Sequence, residues 1–118
     1  GVRRLLAASP TAIFAASDVM AIGALKALRE AGRRVPQDVA LVGFDDGTIA
    51  TAVEPALTTV RQPIGRLGSM AADLLLDIFE KPPAPTGEAP SGQSPTGQAA
   101  RIVLPTRVVV RDSCGALL

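Results

Sequence analysis

Val39–Phe44 reads VALVGF, an apolar run with no polar side chain to turn toward water, and Asp45-Asp46-Gly47 ends it abruptly. A strand with one wet face alternates polar and apolar residues, whereas a strand buried on both faces does not. Thr11–Ala16 (TAIFAA) and Leu57–Val60 (LTTV) are runs of strand size bounded by turn residues. Between the first two, Val19–Ala31 is rich in helix formers. Asp18 stands before it as a suitable N-cap and Gly32 after it as a C-terminal stop. Pro63 suits the first position of a second helix running to about Glu80. Its Ile64, Leu67, Ala71, Leu74, Leu75 and Ile78 recur three and four apart and form one apolar stripe. Smaller pieces complete the pattern. Leu5–Ala8 closes a helix before Ser9-Pro10, a short helical stretch is expected around Ile49–Val53, and Arg107–Arg111 is a last strand candidate. Buried strands alternating with helices specify an α/β protein with a doubly wound parallel sheet.

Composition narrows the function. Hydrophobic residues make up 47% and charged residues 19%, enough for a packed core. Lys+Arg is 12 against Asp+Glu 11, so a net charge of +1 provides no field for a nucleic-acid backbone. Arg3–Arg4 and Arg33–Arg34 read as solvated helix or loop ends. Histidine is absent and Cys114 is the single cysteine, which removes Ser-His-Asp and Cys-His catalysis, histidine-ligated metals and an intrachain disulfide. No enzyme, cofactor or metal site is expected. A lone thiol fits a reducing, cytoplasmic compartment, and no apolar run approaches the ~18–20 residues of a membrane span. Residues 82–100 carry no large apolar side chain and are rich in Pro, Gly, Ser and Thr, so a disordered loop is expected there.

In an open α/β sheet, ligands bind beyond the carboxyl ends of the strands. Ser17-Asp18 follows the first strand and Asp45-Asp46 the second. A carboxylate accepts up to about four hydrogen bonds, which suits a ligand carrying several hydroxyls. The plainer reading is that Asp18 caps a helix and Asp45-Asp46-Gly47 turns the chain. Turn chemistry needs only one acidic residue, and two are present. On the first helix, Met20, Ala21, Gly23, Ala24, Leu25, Ala27, Leu28 and Ala31 form an apolar arc expected to face the sheet. Val19 and Ile22 lie instead among Lys26, Arg29 and Glu30. They fit either an ordinary surface or a subunit contact.

The segments PTAIFAASDVMAIGALKALREAGRRVPQDVALVGFDD, EPALTTVRQPIGRLGSMAADLLL and RIVLPTRVVVRDSC, in that order, resemble the LacI/GalR family of transcriptional regulators. The resemblance implies the carboxy-terminal part of an effector-binding domain with a periplasmic-binding-protein-like (type I) lobe, incomplete in these 118 residues. Residues 1–62 and 101–118 would form that lobe, and 63–81 a helix that belongs in the family to the amino-terminal lobe. The DNA-binding headpiece would lie outside the chain. The family's ligand-contacting Asn falls on Ser17, which shortens the side chain and removes an amide. Its ligand-contacting Asp falls on Asp45. Its dimer contacts fall on Ile22 and Lys26, beside Val19. The function implied is sensing of a sugar-like effector by a homodimer that reaches operator DNA through the headpiece, with no membrane partner. The alternative is a lobe of a periplasmic sugar-binding protein, but RIVLPTRVVVRDSC and the Arg-Gln-Pro after LTTV look more like the regulators. A phospho-acceptor receiver would need a lysine after its last strand, and none follows RVVVR.

Overall fold

The computed structural model describes residues 2–80 and 102–116, and the expected disordered loop at 82–100 lies outside the described residues. The chain divides into two compact units, one formed by Gly1–Gln62 with Thr106–Leu118 and the other by Pro63–Pro105.

The first unit holds a short helix α1 (Val2–Leu6), strand β1 (Ala12–Phe14), helix α2 (Asp18–Glu30), strand β2 (Ala40–Asp45) and strand β3 (Thr58–Arg61). A 3-10 turn at Thr48–Thr51 bridges β2 and β3, where a short helical stretch was expected. The sheet order is β1-β2-β3-β4. The first three strands are parallel, with Phe14 paired to Val42 and Thr58 to the same Val42. This bears out the α/β class and its parallel core. The last strand, β4 (Arg107–Val109), runs antiparallel to β3, pairing Thr59 with Val109.

Side chains alternate across a strand, and the two faces of this sheet have different partners. Ile13, Leu41, Gly43 and Thr59 share the face that α2 covers, since β1–β2 and β2–β3 pair them in register. Ala21, Ala24, Leu25 and Leu28 of α2 are buried there with Ile13, Leu41, Val39, Ala50 and Leu57. The expected apolar arc is narrower than the sequence suggests, because Met20 is 61% exposed and Asp18 takes its place on the buried face. On the opposite face Thr58 is stitched to the returning segment: its amide donates to Ser113 Oγ (2.8 Å) and its hydroxyl to Arg111 O (3.0 Å). Ser113 in turn donates to Leu41 O (2.6 Å), so β2, β3 and the return share one buried hydroxyl. Nearer the β1 edge, Phe14 and Phe44 meet edge-to-face at 6.4 Å between centroids.

Helix α2 starts and stops for identifiable reasons. Its N-cap is Ser17, in extended backbone, whose Oγ accepts from the Met20 amide at 3.2 Å. The expectation that Asp18 caps the helix is corrected: Asp18 is the first helical residue, and its carboxylate is used elsewhere. At the other end Gly32 sits at φ +69, with its own amide on Arg29 O and that of Arg33 on Leu28 O. This is the paired closure in which a left-handed glycine satisfies the last carbonyls. The second unit contains α3 (Ile64–Glu80), where Ile64, Leu67, Leu74 and Leu75 repeat at helical spacing and are exposed.

Gly43 is the tightest point of the core. A Cβ there would stand 2.5 Å from Asp18 Oδ1 and 2.9 Å from Leu57 Cδ2, and neither neighbour is a free chain end. Gly43→Ala should therefore destabilise the fold by about 1–3 kcal/mol, the usual cost of overpacking. Urea unfolding followed by circular dichroism measures it, and an unchanged midpoint would show that Asp18 has room to move.

Candidate functional site

Three carboxylates gather at the carboxyl end of the parallel strands, and hydrogen bonding separates them into two kinds. Asp18 is 2% exposed. Its Oδ2 accepts from the Gly47 amide (2.8 Å) and its Oδ1 from the Thr59 hydroxyl (2.6 Å). One side chain thereby ties α2 to the turn after β2 and to β3. Asp46 has a side chain only 3% exposed, with Oδ1 on Arg111 Nη2 (2.6 Å) and Oδ2 on Arg61 Nε. Its amide also donates to Thr59 Oγ1 at 3.3 Å. Both acids have each oxygen committed to the protein.

Asp45 differs. It is half-buried, and its Oδ1 accepts from Gln62 Nε2 at 2.7 Å. Among the described residues no hydrogen bond reaches its Oδ2. The backbone at Asp45 and Asp46 has φ of 111 and 56, a region that L-residues with side chains enter at a cost of about 1–3 kcal/mol each. The hydrogen bonds to Asp46 and Gly47 hold the turn in that conformation. Non-glycine residues strained in this way cluster at ligand sites.

The last register pair between β1 and β2 is Phe14 with Val42, and Ser17 and Asp45 each lie three residues beyond it. Ser17 is half-buried, and capping uses its oxygen as acceptor, so the hydroxyl proton can still be donated. The three residues singled out on the outer flank of α2 vary in exposure. Val19 is 72% exposed, Lys26 is exposed and Ile22 is half-buried. Ile22 and Lys26 help line a shallow groove of about 490 Å³ that also takes in Arg29, Ala52 and Val53. Among the described residues no group of three or more Cys, Asp or Glu is placed to hold a metal ion.

Sequence reasoning missed Thr59, Arg61, Gln62 and Arg111. Two of them carry a signal in hindsight: an arginine and a glutamine directly after LTTV fall at the end of the strand that pairs with the acidic end of β2. Arg111 has none, since it meets Asp46 from 65 residues away.

A periplasmic binding protein-like domain family matches residues 1–114. The HTH-type transcriptional regulator CelR of Thermobifida fusca is 45% identical over 114 residues, covering 95% of this chain and 30% of CelR. A solved CelR–cellobiose complex superposes with a TM-score of 0.77 at 43% identity, covering 95% of this chain and 31% of that one. A LacI family transcriptional regulator from Enterococcus faecium, solved with bound ribose, gives 0.73 at 32% identity, covering 96% and 37%. The chain thus spans about a third of the length of these relatives.

The Asp46 carboxyl has a pH signature. Burial disfavours its charged form, but the hydrogen bonds from Arg111 and Arg61 and their charges outweigh burial and hold it below the ordinary carboxylate range. A carboxyl whose folded pKa is depressed stabilises the fold fully above its unfolded value, about 3.9, and loses that contribution as pH falls through the folded value. Asp46→Asn should therefore cost about 1–3 kcal/mol at pH 7. The gap from the unaltered chain should hold down to about pH 5 and narrow below pH 4. Urea titrations at pH 7 and pH 3 measure both numbers, and a gap that does not change with pH would show that the charge is not what stabilises.

Proposed function

Because the chain belongs to the periplasmic binding protein-like domain family, in the form carried by LacI-type regulators, we propose that it is part of the ligand-sensing module of such a regulator. The module binds a small, sugar-like effector, works as a homodimer and performs no catalysis. It acts in the cytoplasm and reaches operator DNA through a headpiece outside these residues. One observation carries the site: of three carboxylates at the carboxyl end of the sheet, only Asp45 keeps an oxygen for something else. Two saturated neighbours hold the backbone while the third meets the ligand. Asp45 accepts from effector hydroxyls and Ser17 donates its hydroxyl proton from the neighbouring strand end. Cellobiose and ribose, held by two relatives, support an effector that is polyhydroxylated, uncharged and matched to a carboxylate with spare acceptor sites.

Val19, Ile22 and Lys26 form the self-contact. Val19 projects an apolar β-branched side chain from a face otherwise occupied by Lys26 and Arg29, and Ile22 lines the groove beside it. A two-fold axis would bury both copies of that patch together.

Two measurements test these roles. In the full-length protein, Asp45→Ala should weaken sugar binding by about 1.5–3 kcal/mol, the value of hydrogen bonds to a charged group. Calorimetry with cellobiose and with ribose reads it, and unaltered affinity would remove Asp45 from the site. Ile22→Glu would place two carboxylates against each other across the two-fold axis, and the variant should sediment as a monomer at concentrations where the parent is a dimer. An unchanged sedimentation coefficient would move the interface elsewhere.

A further inference from the structure

Gln62 occupies a singular place. It is the last residue of the sheet unit, one position beyond β3, and the chain passes directly to Pro63 and α3. The strand ladder ends at Arg61, which pairs in register with Asp45. What fixes the Gln62 side chain is its amide on Asp45 Oδ1 at 2.7 Å. The residue before it is fixed in the same manner, since Arg61 holds the neighbouring Asp46. Residues 61 and 62, where the chain leaves the sheet, are therefore fastened side chain by side chain to residues 46 and 45.

From this juxtaposition we propose that Gln62 is a positioning residue for the effector site, acting through Asp45 and transmitting its occupancy to the exit segment at Gln62–Ile64. The inference rests on the reading of Asp45 as the effector's carboxylate. Asp45 sits in a left-handed conformation with a single protein donor on its carboxylate. Its side chain is thus oriented by Gln62 alone among the described residues. A ligand hydroxyl donating to Oδ2 restricts the same carboxylate from the other side. Each of the two partners then finds the carboxylate already ordered by the other. By linkage, whatever Gln62 adds to effector affinity, the effector adds to the ordering of Gln62.

The test uses the full-length protein with cellobiose and ribose as probes. Gln62→Met keeps the length of the side chain and removes the donor. It should weaken binding of the sugar about three- to twentyfold by calorimetry, less than the full value of a charge-assisted hydrogen bond because this bond is present in the free protein too. In an Asp45→Asn background the same change should alter affinity less than about twofold, because neighbours that act through one group are not additive. Saturation with the sugar should also slow amide exchange at Gln62 and Ile64 in the unaltered protein, a readout that needs no variant to fold. Equal loss in both backgrounds, no loss on Gln62→Met, or exchange at Gln62 and Ile64 unmoved by a sugar that binds would each overturn the role of Gln62 while leaving Asp45 in the site. Neither sugar binding, or Asp45→Asn binding as tightly as the parent, would overturn the reading beneath it.

Discussion

The buried carboxylate of Asp46 is the interaction on which the rest of this structure depends. It lies between Arg111 and Arg61, and Arg111 also donates to Leu57 O at 2.7 Å. A buried ion pair with one member removed leaves an uncompensated charge, so Asp46 and Arg111 depend on each other, while the more exposed Arg61 adds a second, solvated partner. The three side chains come from the turn after β2, the end of β3 and the segment after β4. Asp46 sits on the edge of disfavoured backbone space, and its neighbours oblige it to stay there.

A second economy runs through the pair Thr58-Thr59. Both are buried, yet each hydroxyl is satisfied, and they point to opposite faces as strand geometry requires. Thr59 donates to Asp18 on the α2 face, and Thr58 exchanges hydrogen bonds with Arg111 on the other. Two adjacent β-branched residues therefore fasten the sheet to the helix above and to the return below. Among the described residues, no buried side-chain polar atom is left without a hydrogen bond. A core that includes two carboxylates and an arginine remains compatible with folding only on that condition.

How much of this was legible in the sequence follows from the range of each interaction. Local physics suffices for the strand at 40–45, for α2 and for its glycine closure, because periodicity and capping act within a few residues. Ser17 rather than Asp18 as N-cap was harder, since both residues are good caps and the choice turns on what else each could do. Asp18 had a better use 29 and 41 residues away, at Gly47 and Thr59, which no local rule contains. The antiparallel setting of β4 is equally long-range. At the site, position beyond the strand ends picked out the pairs Ser17-Asp18 and Asp45-Asp46, the doublet hinted that one acid exceeded what a turn needs, and only the family resemblance singled out Ser17 and Asp45. Which acid was spent inside the protein is decided by Arg61, Gln62 and Arg111, and only the folded chain brings these to the doublet.

The dependence can be followed to a missing side chain. Gly43 has no Cβ, and that space is where Asp18 Oδ1 lies against the sheet. With Asp18 admitted, its second oxygen can take the Gly47 amide, which holds the chain immediately after Asp46. Fixed at Gly47 from one side and at Asp46 from the other, the turn keeps two consecutive aspartates at positive φ. Asp45 closes the ladder of β2 opposite Arg61 in that conformation. The carboxylate of Asp45 is thus available at the strand end because a glycine two residues earlier let the helix come close. The recognition chemistry proposed for the end of β2 is in this sense a consequence of helix-to-sheet packing, and a larger residue in the middle of the strand would alter the geometry of Asp45 from a distance.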